Sequence, residues 1–369
     1  MSNVTIQHIL NDHGDAYLKS HRLPLYKHKA LWSIRHCRTS QMGSHADVCI
    51  NGHIDNVHYN SCRHRSCPQC QFAKSQQWLQ KQQARLLNTT HHHWVFTVPH
   101  ELLPLWRYHQ TGLQDLLFQA VQLTLKQLWR DTRYLGGKPG VILALHTWGR
   151  NLSLHPHIHC LISHGGWSTE GLWREPKRKV MFPAKVMRRL FRGKFLHGLK
   201  QALNAGTLQW PDAKDHIEAK DRIGALYQQD WVVHCCKPYS QGEDVAKYLA
   251  RYMRGGALRN GQLLVHDSDK VVFRYKSHRT QQTERMRLPP DALISRLLTH
   301  VPLPGKPTVR MYGLYHPNSE ELLNSARAHF KQTKVHRPEP LNWREWLVKK
   351  HGQPLCHRCQ APIVGFENS

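Results

Sequence analysis

The stretch Asn151–Ser163, NLSLHPHIHCLIS, decides the fold. His157–Ser163 reads as a strand, and His157 and His159 flank Ile158 within it. Alternate strand residues share a face, so both imidazoles point one way while Ile158 and Cys160 point into a core. Val141–Thr147 (VILALHT) reads as a preceding strand that follows a Gly-rich turn at Gly136–Gly140. Two strands joined by a short link favour an antiparallel hairpin, closed after Ser163 by Gly165-Gly166. In that hairpin His146 would lie beside the histidine pair as a third ligand. His155 is the rival, although Pro156 marks the strand start and turns it away. Adjacent neutral imidazoles chelate a divalent cation, and an open position on such a cation can polarise a phosphodiester oxygen.

Working outward, Trp94–Val98 reads as a buried strand. Leu102–Trp129 reads as a helix with Leu105, Leu113, Leu117, Val121, Leu125 and Leu128 near one stripe. Residues 1–36 read as two helical segments broken at Leu23-Pro24, and residues 71–87 have helical spacing with a basic face. Residues 37–70 are Cys/His-rich and read as metal-held loops. Downstream, Asp230–Cys236, residues 263–276 and residues 284–288 read as strands, and Leu293–Val301 as a short helix. Residues 168–229 are basic and carry no clear period.

Ser240–Arg254 reads as a helix, with capping-box spacing between Ser240 and Glu243 and a stop at Gly255-Gly256. Tyr248 and Tyr252 are four apart, which puts both phenols on one helical face. A phenol with an ordinary pKa of about 10 is a poor nucleophile until cations and a polarised phosphate assist it. Lys247, Arg251 and Arg254 supply positive charge nearby. Such an attack exchanges one phosphodiester for another, so rejoining needs no ATP, and the chain has no Walker-type phosphate loop.

The order of a His-x-His strand and, roughly 90 residues later, a two-tyrosine helix resembles the HUH single-strand endonucleases. The stretches HTWGRNLSLHPHIHCLIS, DWVVHCCKPYS, VAKYLARYMRGG and VRMYGL are similar to the two-tyrosine rolling-circle transposases of bacterial insertion sequences. So are CRTSQMGSHADVCINGH and YNSCRHRSCPQCQ; the resemblance runs from about residue 10 to about residue 320. It implies an α/β (α+β) fold, with an HUH-type antiparallel sheet, flanking helices and a small N-terminal zinc-binding module. It implies Mg²⁺ or Mn²⁺ on His157 and His159, with His146 as the third ligand. Tyr248 and Tyr252 would be nucleophiles, one forming a 5′-phosphotyrosine and the other serving a second cleavage. The partner would be single-stranded DNA at element ends and target, and the free 3′-OH could be extended by host replication proteins. Lys237 would contact a phosphate, whereas the Arg310-x-Tyr312-Gly313 motif has no assigned role. A plasmid replication initiator or relaxase would share this chemistry. A zinc-dependent DNA-binding protein without catalysis is the alternative of another class.

Composition agrees with a polyanionic partner. Lys and Arg number 52 against 25 Asp and Glu, a formal charge of +27 spread along the chain, and neutralised phosphates release counterions. No apolar run approaches the length of a membrane helix, and the N-terminus has no secretory pattern, so a soluble bacterial cytoplasmic protein, associated with the nucleoid, is expected.

Ten cysteines without an export signal point to metal binding rather than disulfides. Cys67-Pro68-Gln69-Cys70 is a zinc-type knuckle, with Cys62, Cys49 and Cys37 upstream as further ligand candidates. Relatives often carry a second CxxC from the position of Cys49, but Gly52 stands where its partner would be; His53 could replace it, or Cys62 could complete the site. Arg63 and Arg65, with His64 and Lys74, would let this module bind DNA. Cys356 and Cys359 form a lone CxxC that reads as a second zinc site, a half-site pairing elsewhere, or neither. Cys160, Cys235 and Cys236 read as core thiols. The expected divisions are a helical and zinc-binding module over 1–90, the endonuclease domain over 91–280 and a basic region over 281–369.

Overall fold

The computed structural model describes residues 4–177, 181–211, 213–214, 216–236, 238–240, 245, 257–277, 279–339, 345, 348–349 and 352–368. The chain opens with helices α1 (Ile6–Ser20) and α2 (Leu25–Arg35), a hairpin of β1 (Ser44–Cys49) and β2 (Ile54–Tyr59), and helix α3 (Gln71–Gln83). Strand β3 (His91–Thr97) leads through α4 (Leu103–Tyr108) and α5 (Gln110–Arg130) to β4 (Gly140–Trp148) and β5 (Leu154–Ser163). After the small β6 (Gly166–Trp167) and β7 (Trp173–Arg174) come α6 (Ala184–Asn204), α7 (His216–Gln228) and β8 (Val233–Cys235). The last part holds β9 (Leu263–His266), β10 (Val271–Lys276), β11 (Thr283–Leu288), α8 (Pro290–Thr299), β12 (Val309–Gly313), α9 (Glu320–His329) and β13 (Ile363–Asn368).

The central sheet has the order β12-β4-β5-β3-β8, antiparallel throughout. Strand alternation sorts its two faces. Phe96, Leu143, Leu145, Ile158, Cys160 and Ile162 are buried with Phe191 and Phe195 of α6 and Leu117 and Val121 of α5. Burying a side chain of this size contributes roughly 1.5–3 kcal/mol, so this face anchors the fold. The opposite face carries His146, His157 and His159 near one end and the apolar Ile142 and Leu161 farther along.

Besides the two-stranded β6-β7, there are two further three-stranded sheets, β11-β10-β9 and β13-β1-β2. The first shares a core with α1, α2 and α8 through Ile9, Leu31, Phe273 and Ile294. Helix α1 starts where the Thr5 hydroxyl accepts the His8 N–H at 3.1 Å. The span 281–369, expected as one region, contributes to all three bodies: β11 and α8 to the flanking core, β12 to the central sheet, and β13 to the hairpin sheet. Among the described residues no helix is long and apolar enough to cross a membrane.

Three local readings change. The supposed loops at 37–70 contain the β1–β2 hairpin, whose β2 is largely exposed and so carries no burial pattern. The helix expected over Leu102–Trp129 is two helices, separated at His109. Residues 168–229 contain α6 and α7, whose buried positions are interleaved with basic ones. The expected helix Ser240–Arg254 lies outside the described residues except for Ser240 and Val245.

Candidate active site and metal centres

Strand β5 is the middle strand of the central sheet, so its polar face receives neighbours from both sides. His157 sits opposite His146 on β4 and Thr97 on β3. His159 sits opposite Ala144 and Val95. The ligand nitrogens of His146, His157 and His159 lie within 4.8 Å of one another, and all three side chains are buried. His155 is outside this group and serves differently: its carbonyl accepts the Nδ1–H of His157 at 2.6 Å. Pro156 begins the buried part of the strand, which leaves His155 at the margin.

The tautomers follow from these partners. With Nδ1–H donated to a carbonyl, neutral His157 presents a bare Nε2, which lies 3.1 Å from Nε2 of His159. Nδ1 of His159 lies 2.9 Å from Nε2 of His93 on β3. When His159 donates there, its Nε2 is bare as well. Two facing lone pairs need a proton or a cation between them, and burial, reinforced by His146, His157 and His93, holds the His159 pKa well below the usual histidine range. A metal fits the spacing: two ligands at about 2.1 Å and a right angle are about 3.0 Å apart. His146 is held by stacking on Trp148, with centroids 4.6 Å apart and planes at 13°.

These histidines floor a cleft of about 1200 Å³. His93, His100 and His234 also line it, and Arg150, Arg259, Lys276 and Arg279 make its walls basic. Sequence reading missed His93 because its role depends on cross-strand register, and missed the four cations because they come from separate loops and strands. Cys236 lines the cleft and Cys235 is exposed, since β8 is an edge strand; only Cys160 of the three expected core thiols is in the core.

Tyr248, Tyr252, Lys237, Lys247 and Arg251 lie outside the described residues. Their described neighbours are informative. The Cys236 N–H donates to the His93 carbonyl, and Tyr239 and His91 exchange backbone hydrogen bonds. Val245 is buried with Ile142 and Leu161, on the histidine-bearing face.

Residues 140–322 match the family described as "Putative transposase", and residues 9–98 match "Transposase zinc-binding domain". The "Putative transposase y4qJ" of Sinorhizobium fredii is 33% identical over 85% of this chain and 80% of its own. The transposase for insertion sequence element IS801 of Pseudomonas savastanoi pv. phaseolicola is 32% identical over 75% of this chain and 67% of its own. The chain belongs to the IS91/IS801-type transposase family. A conjugative relaxase TrwC solved with oriT DNA overlaps 43% of this transposase and 70% of itself, at 14% identity and a TM-score of 0.24, a likeness too slight to align the two sites.

The zinc-binding domain of the transposase brings Cys37, Cys62, Cys67 and Cys70 together, all four sulfurs within 4.8 Å of one another. Cys37 and Cys62 approach Cys70 at 3.3 and 3.6 Å. Tetrahedral zinc at about 2.3 Å from each thiolate puts sulfurs about 3.8 Å apart, so the donor set fits. Cys49 and His53 are not in this group; they meet Cys356 and Cys359 instead. Arg63 and Arg65 are exposed beside the four-cysteine group, and Arg65 donates to the Thr308 hydroxyl at 3.2 Å, tying the module to the approach of β12.

The Arg310-x-Tyr312-Gly313 motif has a structural part. Arg310 pairs with Asp115 of α5 and lies over the Phe118 ring at 4.2 Å. Tyr312 packs on the main core. Gly313 has φ +62°, and a Cβ there would meet the Pro139 carbonyl at 1.8 Å.

Proposed function

We propose that this transposase nicks and rejoins single-stranded DNA at element ends, in rolling-circle fashion, through a 5′-phosphotyrosine. The observation that carries the reading is the convergence of His146, His157 and His159 on the floor of a basic cleft. These three would hold Mg²⁺ or Mn²⁺, which when bound polarises a phosphodiester oxygen and offsets charge in the transition state. His93 and the His155 carbonyl keep the imidazoles in the ligating tautomer.

Tyr248 and Tyr252 are the nucleophiles in this reading. Val245, three positions before Tyr248 in the sequence, is buried with Ile142 and Leu161, which supports this reading. The phenolic oxygen attacks phosphorus and gives up its proton to solvent, the P–O3′ bond breaks, and the departing 3′-oxygen takes a proton from solvent to become a free 3′-OH. The bond energy is kept in the tyrosyl ester, and attack by a 3′-OH reverses the step. Arg150, Arg259, Lys276 and Arg279 would track the phosphates across the cleft, joined by Lys237, Lys247 and Arg251. Zinc on Cys37, Cys62, Cys67 and Cys70 is structural, and Arg63 and Arg65 beside it add to the DNA-binding surface.

The test is cleavage of labelled single-stranded element-end DNA with Mg²⁺ or Mn²⁺, resolved on a denaturing gel. Wild type is compared with Tyr248→Phe, Tyr252→Phe and the double substitution. A metal-dependent downstream fragment linked to protein through its 5′ phosphate, absent from the double variant, is expected. Cleavage that survives the double substitution would sink the tyrosine nucleophile in favour of an activated water.

A further inference from the structure

We propose that Cys49, His53, Cys356 and Cys359 hold a second zinc ion, which clasps the last residues of the chain onto the N-terminal module. Half of this donor set lies beyond both family-matched spans, 9–98 and 140–322, and the site does not depend on the catalytic reading.

The geometry is that of a small tetrahedral site. The four donor atoms lie within 4.8 Å of one another. Cys49 Sγ is 3.7 Å from Cys359 Sγ, and His53 Nδ1 is 3.3 Å from the same sulfur. Zinc at about 2.3 Å from sulfur and about 2.0–2.1 Å from nitrogen requires edges of about 3.8 and 3.5 Å. Cys49 and Cys356 are 2% and 0% exposed, so the thiols converge inside the structure.

Each half is a tight turn built to present its donors. In the first, the Gly52 N–H donates to the Cys49 carbonyl at 2.9 Å, and Gly52 takes φ +76°. That left-handed position favours glycine, and the chain then delivers His53 as the donor. In the second, the Gln360 N–H donates to the Cys356 carbonyl and the Cys356 N–H to the Ala361 carbonyl, both at 2.9 Å. The halves are joined by β1–β13 pairing, with Cys49 opposite Ile363, and by Asp55, whose carboxylate accepts the backbone and ring N–H groups of His357 at 2.6 and 2.9 Å.

Energetics point to a metal. Among the described residues, the buried cluster of the sheet β13-β1-β2 is Cys49, Cys356 and Ile363, with Cys359 packed against them, and Ala46 of β1 is buried beside it in the sheet. Ile54, Val57 and Tyr59 of β2 are more than half exposed, at 53%, 61% and 51%. A three-stranded sheet needs a hydrophobic face or a covering element to persist. Three thiols, one isoleucine and one alanine do not supply one, whereas structural zinc supplies folding free energy directly.

The test uses the full chain. Elemental analysis in a His157→Ala/His159→Ala background, which removes imidazole-bound zinc from the count, should give two zinc ions per chain. Adding Cys356→Ser/Cys359→Ser should lower this to one. Cadmium-113 substitution of the wild type should give one all-sulfur signal and one signal from three sulfurs and a nitrogen. His53→Cys should keep two metals and turn both signals all-sulfur, which separates loss of a ligand from failure to fold. One zinc per chain with a single all-sulfur signal, undiminished zinc in the Cys356→Ser/Cys359→Ser chain, or a Cys49–Cys359 disulfide in the native protein would overturn the proposal.

Discussion

The five-stranded sheet carries His146, His157 and His159 on the face opposite a core drawn from α5, α6 and its own strands. The three-stranded sheet gathers Cys49, Cys356, Ile363 and Cys359 and little else. In the first, packing positions the histidines, and a bound ion would add chemistry. In the second, the donors themselves are the core, and a bound ion would add stability. The four-cysteine group resembles the second case, although Cys37 and Cys67 also touch the core shared by α1, α2 and α8. A donor set on the central strand of a large sheet is preorganised, whereas one on two turns at the chain's extremities has to be assembled.

Metal removal tests that contrast most strongly. Structural zinc contributes on the order of 10–16 kcal/mol to small modules. Chelation should therefore strip amide protection from β1, β2 and β13 while β3, β4 and β5 keep theirs in hydrogen exchange. Loss of protection in β4 and β5 at the same chelator concentration would break the comparison.

Ligand removal from the large sheet should do the reverse. His157→Ala or His159→Ala is expected to lower nicking at least about 10³-fold, or about 4 kcal/mol of barrier. The melting temperature should move by less than about 4 °C. A variant that fails to fold would show that the imidazoles are structural.

Acid sharpens the picture of the packed sheet. His91 is fully buried, with Nε2 2.6 Å from the Tyr315 hydroxyl, and burial lowers its pKa from 6.5 to about 4. Because the folded value lies below the unfolded one, the neutral ring's contribution is fully present above 6.5 and is lost as pH falls toward 4. It amounts to roughly 3 kcal/mol. Urea unfolding between about pH 7 and about pH 4.5 should show the loss, with a shallower slope in His91→Gln.

The smallest effect is expected at His93. His93→Ala should weaken divalent-ion affinity by about 10–100-fold, the usual cost of losing a partner behind a ligating histidine. Calorimetric titration against His93→Gln, which keeps an acceptor, separates orientation from bulk. Equal affinities in wild type and His93→Ala would mean that β5 alone orients His159.

Much of the fold could be read from residue order. The alternation in HPHIHCLIS placed two imidazoles on one face, and the short link to VILALHT allowed His146 to lie opposite, with His155 as its rival. The break at Leu23-Pro24 and the short helix near Leu293 also stand out, because proline and apolar period are local signals. The β1–β2 hairpin was hidden, since β2 buries too little to show alternation. α6 was hidden because Arg and Lys occupy its exposed stripe between Phe191, Phe195 and Leu199.

The sequence by itself determined the chemistry available: paired imidazoles on a strand, thiols in knuckles, two tyrosines four positions apart, and a large excess of positive charge. Those follow from period and spacing, which act over a few residues. Only the tertiary structure decided which donors meet. It chose His146 over His155, set His93 behind His159, and divided the N-terminal thiols between a group of their own and a group completed some 300 residues later. Such choices depend on strand register and on which chain ends pack together, and no local pattern encodes them.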